Sequence, residues 1–342
     1  MYHNASLVHW LTNNPHKTII PAQVDIDLTN ICNQDCFYCN SKEFREESIS
    51  QLHYSKYIVL LDQLARWRTH SPHSTGTLHT ITYPGGGEPT LLKGYEKVIE
   101  HTIDLGFLTS LTTNGSNLVA LYDNVPIEKL RKMSWVGVDI DSANEETYET
   151  IRNSLTKRSL FGKVMENIKM LVSMGVNVDL KVLLSKHNVH PQSIIDLFDL
   201  AQQLNVRMLY FRPVILNDAV FELYPSTVDF IKSCSDRFHV ASMINISKQQ
   251  PRAYVKCHQM FQFPVACADG NVYSCCDNKG NQDFCLGSWI TDDIREIWQA
   301  NQHWDIYNDT DVTKCKPCRP NKNNNDIQSI IDDSRLLETL YM

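Results

Sequence analysis

The chain has 342 residues, 42% hydrophobic and 21% charged, with 32 basic and 39 acidic side chains. That is a globular composition, long enough for one large domain or two ordinary ones. A formal net charge of −7 argues against nucleic-acid and acidic-lipid partners. No apolar run reaches the ~20 residues of a membrane span.

Strands and helices alternate along the first two thirds. Gln23–Thr29 alternates apolar and polar residues as a strand does. A helix over 49–68, a strand over 78–83 and a helix over 93–105 follow, the last ended by Gly106. Next come a strand over 108–113, closed by Asn114-Gly115, and a short helix over 126–132 entered through Pro126. A strand over 135–140, a helix over 163–174 stopped by Gly175, a strand over 176–184, a helix over 192–204 and a strand over 206–212 complete the series. Six strands alternating with helices predict an α/β fold of βα units around a parallel sheet. After about residue 220 the texture changes, and 251–320 holds seven of the eleven cysteines. We expect a first domain over 1–220, a connecting helical segment over 221–250 and a small cofactor-stapled domain over 251–342. The run NKNNN at 321–325 reads as a solvated loop before a last helix over 326–340. The N-terminus, MYHNASLVHWLTNNPHK, has no basic stretch before an apolar one. No signal peptide is expected, and the cytoplasm is the expected compartment.

Eleven cysteines are an odd number for a disulfide framework, and in a reducing compartment clustered cysteines bind metal or do chemistry. They form two groups with none between 40 and 233. The first, Cys32-Asn-Gln-Asp-Cys36-Phe-Tyr-Cys39, is CxxxCxxC in the loop after the first strand. Three thiolates on one loop can hold three irons of a [4Fe–4S] cluster and leave one iron open. A structural zinc would want four ligands. After the second strand comes Pro84-Gly85-Gly86-Gly87-Glu88-Pro89. Its glycines permit tight turning and close approach of a ligand, and its carboxylate can accept from an ammonium.

CxxxCxxC with an aromatic residue, Tyr38, before its last cysteine, followed by Gly86-Gly87-Glu88-Pro89, resembles the radical S-adenosylmethionine (SAM) superfamily. The resemblance implies a partial (β/α)6 TIM-like barrel. It also implies a [4Fe–4S] cluster on Cys32, Cys36 and Cys39 whose open iron binds SAM. Cleavage of SAM then yields a 5′-deoxyadenosyl radical that abstracts a hydrogen atom from substrate. Glu88, with Gly86 and Gly87, corresponds to the part that binds the SAM amino group. Asn114, in Thr113-Asn114-Gly115, corresponds to a turn beneath SAM. Asp139 falls where the family often has a serine on the SAM ribose, and Arg152 matches an arginine used on the SAM carboxylate. Asn188 and Arg212 fall where residues touch SAM or line the site. All of these follow strand ends, the face on which parallel α/β barrels build active sites.

The second cysteine group gives Cys257, Cys275 and the knuckle Cys315-Lys-Pro-Cys318. Four thiolates suit a structural zinc or a complete [4Fe–4S] cluster. The segment resembles the SPASM/Twitch extension of radical SAM enzymes. No cysteine follows Cys318, so the shorter Twitch type with one auxiliary [4Fe–4S] cluster is implied. Cys234, Cys267, Cys276 and Cys285 are left over. They read as small buried hydrophobes, or one of them returns a hydrogen atom to a substrate radical. Cys276 is the candidate to exchange with Cys275 as a ligand.

The resemblance implies an oxidoreductase or modifying enzyme served by an electron donor such as flavodoxin or ferredoxin. Two outcomes stay open: a two-electron oxidation or crosslink with the auxiliary cluster taking an electron, and an epimerisation that uses a cysteine thiol. About twenty residues precede the first strand, too few for the peptide-recognition domain of many peptide-modifying members. That favours a small molecule or a separately presented peptide as substrate. A non-enzymatic iron–sulfur sensor is the remote alternative.

Overall fold

The structure, a computed structural model, describes residues 7–11, 18–48, 50–68, 74–156, 158–217 and 219–333. The apolar residues that alternate along the predicted strands are the buried ones: Val24 and Ile26, Ile81 and Tyr83, Val136 and Val138, Leu180 and Val182, Leu209 and Phe211. Spacing of two puts each pair on one face of a strand, and that face packs in one continuous core. The strands are β1 (Gln23–Ile26), β2 (Thr80–Tyr83), β3 (Leu108–Thr113), β4 (Trp135–Asp139), β5 (Val178–Leu184) and β6 (Met208–Pro213). Four more join them near the C-terminal third: β7 (Ala241–Ile244), β8 (Val265–Ala266) and the hairpin pair β9 (Asn271–Tyr273) and β10 (Cys285–Ser288). Their order in one ten-stranded sheet is β7-β6-β5-β4-β3-β2-β1-β8-β9-β10. The pairs from β7 to β8 are parallel and the last two antiparallel. This is the partial TIM-barrel architecture, extended at both ends.

The principal helices are α1 (Tyr54–Ala65), α2 (Tyr95–Asp104), α3 (Glu145–Arg152), α4 (Phe161–Ser173), α5 (Pro191–Leu204), α6 (Pro225–Phe238), α7 (Ile294–Gln299), α8 (Asn301–Asp309) and α9 (Asn321–Asp332). Helix α3 has no counterpart in the sequence reading. Asn144 starts it, its Oδ1 accepting from Thr147 N at 3.0 Å, and Asn153 ends it at φ 46°. The segment 221–250 carries α6 and also β7, a strand that its exposed, alternating residues did not announce.

The C-terminal third is joined to the barrel through β1. Val265 pairs with Asp25 and Ala266 with Ile26. Trp298 Nε1 donates to Ile19 O at 2.8 Å, and the Trp289 ring lies 5.3 Å from that of Tyr57 on α1. A second core gathers Trp10, Phe44, Phe261, Tyr273, Tyr307 and Ile327, with Cys257, Cys275 and Cys315 packed against it.

The asparagine run is a correction. Residues 321–325 are the first turn of α9 and not a solvated loop. The helix reading of 326–340 holds to Asp332, and 334–340 lie outside the described residues. Tertiary hydrogen bonds explain the asparagines. Asn321 Nδ2 donates to Ser247 O at 3.1 Å and Gln250 O at 2.6 Å. Asn324 Oδ1 accepts from Gln259 N at 3.0 Å, and its Nδ2 donates to Cys257 Sγ at 3.4 Å. Asn324→Leu leaves the buried Gln259 N–H without a partner. We expect a loss of about 1–3 kcal/mol, read as a lower urea midpoint of the reconstituted protein.

Candidate active site

The cysteine loop, 30–41, is mostly irregular, and its neighbours shape it. From β2, Gly87 N donates to Thr29 O at 2.7 Å and Glu88 N to Ile31 O at 2.8 Å. From β3, Asn114 Nδ2 donates to Asn33 Oδ1 at 2.8 Å. On the α3 side, Asp35 N donates to Asn153 O at 2.9 Å and Leu155 N to Asn33 O at 3.0 Å. Gln34 Nε2 donates to the buried Tyr148 hydroxyl at 2.9 Å.

This changes the role of the glycines. A Cβ on Gly87 would lie 2.1 Å from Ile31 O, and one on Gly86 would lie 2.7 Å from Asn30 Oδ1. The close approach is made first by the cysteine loop itself. Glu88 is likewise engaged within the protein. Its Oε1 accepts from Thr90 N, Thr90 Oγ1 and Thr113 Oγ1 at 3.1, 2.7 and 2.6 Å. Its Oε2 accepts from Asn114 N at 2.7 Å. The carboxylate therefore ties the turn after β2 to the turn after β3. Burial pushes its pKa up, and these hydrogen bonds oppose the rise.

Cys32, Tyr38 and Cys39 line one cavity of about 190 Å³ with Cys36, Gly86, Gly87, Glu88, Asn114, Asp139, Arg152 and Arg212. Arg152 is buried and fixed. Its Nε lies 2.8 Å from Asp141 Oδ2, its guanidinium stands 5.7 Å from the Tyr38 ring, and Tyr38 donates to Asp141. Arg152 Nη2 has no hydrogen-bond partner, and its ion pair with Asp139 is long, at 3.9 Å. A donor toward an anionic group is thus left over. Burial pushes the Cys36 thiol up to about 12. Arg152 Nη1 stands 3.9 Å from that sulfur, and Arg45 Nη2 stands 3.6 Å from Cys39 Sγ.

Asn188 is not on the cavity wall. Its amide donates to Asp141 O and Leu183 O at 2.8 and 2.9 Å, and its Oδ1 accepts from Ser185 N. It braces the loops after β4 and β5.

The second cysteine group lies apart from this wall. Cys257 lies within electrostatic range of Cys315 and Cys318, and Cys275 within range of Cys257. Asn324 donates to Cys257 as above, and Asn278 Nδ2 donates to Cys275 Sγ at 3.4 Å. Arg252 clamps the knuckle, donating to Val312 O and Cys315 O, each at 2.8 Å. Among the described residues, no three His, Cys, Asp or Glu side chains converge as one metal ion requires.

Cys275 and Cys276 part company. Both pack against the second core, but only Cys276 also lines the cavity, beside Arg319. Burial pushes the Cys276 thiol up to about 11, and Arg319 opposes the rise. Cys234 and Cys267 are buried, and Cys267 donates to Asp27 Oδ2 at 3.6 Å. Cys285 is half-buried in β10. The sequence reading missed Asp25, Lys248, Lys279 and Arg319, all on the cavity wall. One signal was available: Cys276 and Arg319 each directly follow a cysteine of the second group.

A match to the Radical SAM superfamily spans residues 26–201. The chain belongs to the radical SAM superfamily. The family implies a [4Fe–4S] cluster and SAM, and the three-thiol loop and the spare donor of Arg152 fit such a pair. The chain is 24% identical over 295 residues to a probable GTP 3′,8-cyclase of Saccharolobus islandicus, covering 79% of this chain and 89% of that one. It is 24% identical over 184 residues to an S-adenosylmethionine-dependent nucleotide dehydratase of Selenomonas ruminantium, covering 54% and 62%. The fold is similar to Streptococcus suis SuiB bound to S-adenosylmethionine (TM-score 0.67, 12% identity, 91% of this chain and 75% of that one). It is also similar to native anSMEcpe with bound AdoMet (TM-score 0.56, 16% identity, 84% and 83%). No helix among the described residues is long and apolar enough to cross a membrane.

Gly87→Ala forces backbone against backbone, so we expect it to unseat the cysteine loop. Iron bound on anaerobic reconstitution should fall well below the parent while far-UV circular dichroism stays near it. Parental iron content would show that the approach is not needed.

Proposed function

We propose that this radical SAM enzyme abstracts a hydrogen atom from a substrate carbon in the 190 Å³ cavity and completes a two-electron oxidation or crosslink. Cys32, Cys36 and Cys39 would hold the SAM-binding cluster. Arg152 Nη2, Glu88 Oε2 and Asp139 are the wall groups able to meet the polar parts of SAM. With one electron from a flavodoxin or ferredoxin, the cluster and SAM together supply a 5′-deoxyadenosyl radical when bound. Cys257, Cys275, Cys315 and Cys318 would hold an auxiliary [4Fe–4S] cluster that takes up the substrate's second electron. The observation that carries this reading is the adjacency of Cys275, in the four-cysteine group, to Cys276, on the cavity wall. One peptide bond separates the proposed acceptor's ligand from the substrate space. Asp25 and Asp139, both on the wall, are the carboxylates placed to receive the accompanying proton.

The substrate is a small molecule or the exposed part of a peptide. SuiB has been captured with its precursor peptide SuiA, and two relatives are named for reactions on nucleotides. The cavity itself favours the smaller, polar class.

We expect the reconstituted protein to hold about eight irons, from two four-iron clusters. A Cys32→Ala, Cys36→Ala, Cys39→Ala variant should keep about half of them and make no 5′-deoxyadenosine under dithionite. Undiminished 5′-deoxyadenosine in that variant overturns the assignment. Iron near four per chain with one bound zinc makes the second site a zinc staple.

A second reading rests on the exposure of Cys276 to the cavity: its thiol could return a hydrogen atom to the substrate radical and give epimerisation. Turnover in D2O separates the two. Oxidation yields a product two electrons poorer with no solvent deuterium at the reacting carbon. Epimerisation places solvent deuterium there, and Cys276→Ser abolishes it.

A further inference from the structure

Arg45 and Arg152 attend the cysteine loop, and a second set of cations shares the same cavity. Arg212 comes from β6, Lys248 from the turn Ser247–Gln249, and Arg319 from the link between Cys318 and α9. All three line the cavity. We infer that the substrate of the reading above carries a phosphoryl group and that Arg212, Lys248 and Arg319 seat it. This rests on the proposed radical SAM function and adds the substrate's chemical class to it.

The first support is missing compensation. Among the described residues, the Lys248 side chain makes no hydrogen bond or ion pair, and Arg212 only overlies the Tyr210 ring at 5.6 Å. Arg319 Nε makes no hydrogen bond, and its ion pair with Asp277 Oδ1 is long, at 3.7 Å, with Cys276 and Asp25 also within electrostatic range. Other acids nearby are partly engaged. Asp277 Oδ2 accepts from the Arg319 backbone N–H at 3.1 Å, Asp25 Oδ1 from Gln23 Nε2 at 2.6 Å, and Asp139 faces Arg152. The three side chains are half-buried and line one space, so an anion entering it meets cationic donors that close carboxylates have not already taken up.

The second support is charge number and shape. One guanidinium satisfies a carboxylate through a bidentate pair. Two guanidiniums and an ammonium converging from three segments suit a group with more charge and more acceptor oxygens, as a phosphoryl group has. Their mutual repulsion agrees with this. Burial pushes the Lys248 ammonium down to about 8; Asp277 opposes the fall, and Arg319 and Arg212 add to it. Lys181, behind the wall, is pushed down to about 8 mainly by burial; Asp139 opposes the fall, and the same two arginines add to it.

The test uses the anaerobically reconstituted full chain and inorganic pyrophosphate, followed by calorimetry at fixed ionic strength with sodium acetate as the control anion. The parent should bind pyrophosphate saturably and prefer it to acetate. Arg212→Gln and Lys248→Gln should each weaken binding about tenfold or more, and Lys248→Arg should retain it. Iron content and circular dichroism establish that each variant is folded. No saturable binding, equal binding of acetate, or parental affinity in both glutamine variants overturns the inference. The same samples are assayed for 5′-deoxyadenosine under dithionite. Failure there strikes the radical SAM reading alone, because pyrophosphate binding is read without turnover.

Discussion

The cysteine loop is held in shape by hydrogen bonds that other segments supply. Backbone N–H groups of Gly87 and Glu88 reach across to Thr29 and Ile31, and the Asn114 amide reaches Asn33. On the far side the loop is joined to the end of α3 through Asn153 and Leu155. Glu88 locks the two turns on the near side together with four hydrogen bonds. Buried polar networks of this kind are rigid when every member is satisfied. The three thiols therefore sit on a loop whose geometry is set before any metal arrives. A chelating site needs that preorganisation, because ordering the loop at the moment of binding would cost conformational entropy.

The same logic joins the two halves of the chain. Strand β8 lies against β1 and gives the strand before the cysteine loop a neighbour on its second side. Asp27, at the end of β1, is buried and paired with Lys279 at 2.6 Å. Lys279 and Cys276 both come from the segment between β9 and β10. The wall of the cavity is thus completed by the cysteine-rich third, in which Cys275 of the four-cysteine group directly precedes Cys276 on the wall.

Much of this was legible in the sequence. Six barrel strands announced themselves because their apolar residues alternate and lie between clear turn residues, and the strand-end motifs followed from them. Short strands did not announce themselves. β8 has only two residues and β7 alternates between half-buried and exposed ones, so their pairing depends on partners distant in sequence. The NKNNN run misled because asparagine's loop preference was overridden by buried hydrogen bonds to the 247–259 region. Glu88, Gly86 and Gly87, singled out for the SAM amino group, line the cavity, yet much of their hydrogen bonding and close packing is intramolecular. That could not be read without knowing that the cysteine loop returns to them. Arg212 was legible as a strand-end residue, whereas Lys248 and Arg319 reach the cavity only through tertiary folding.

The pairing of β1 with β8 also bears on synthesis. Asp27 meets Cys267, 240 positions further along the chain. Contacts of such high sequence separation form late, after the local ones. During translation the cysteine loop leaves the ribosome long before the strand that backs it exists. Until β8 arrives, three thiols stand on a half-built sheet with an unpaired edge, open to oxidation and to stray metal. The segments that shape the loop, up to Leu155, are all made before β8, whereas the strand that backs β1 and the lysine that pairs with Asp27 come only with the C-terminal third.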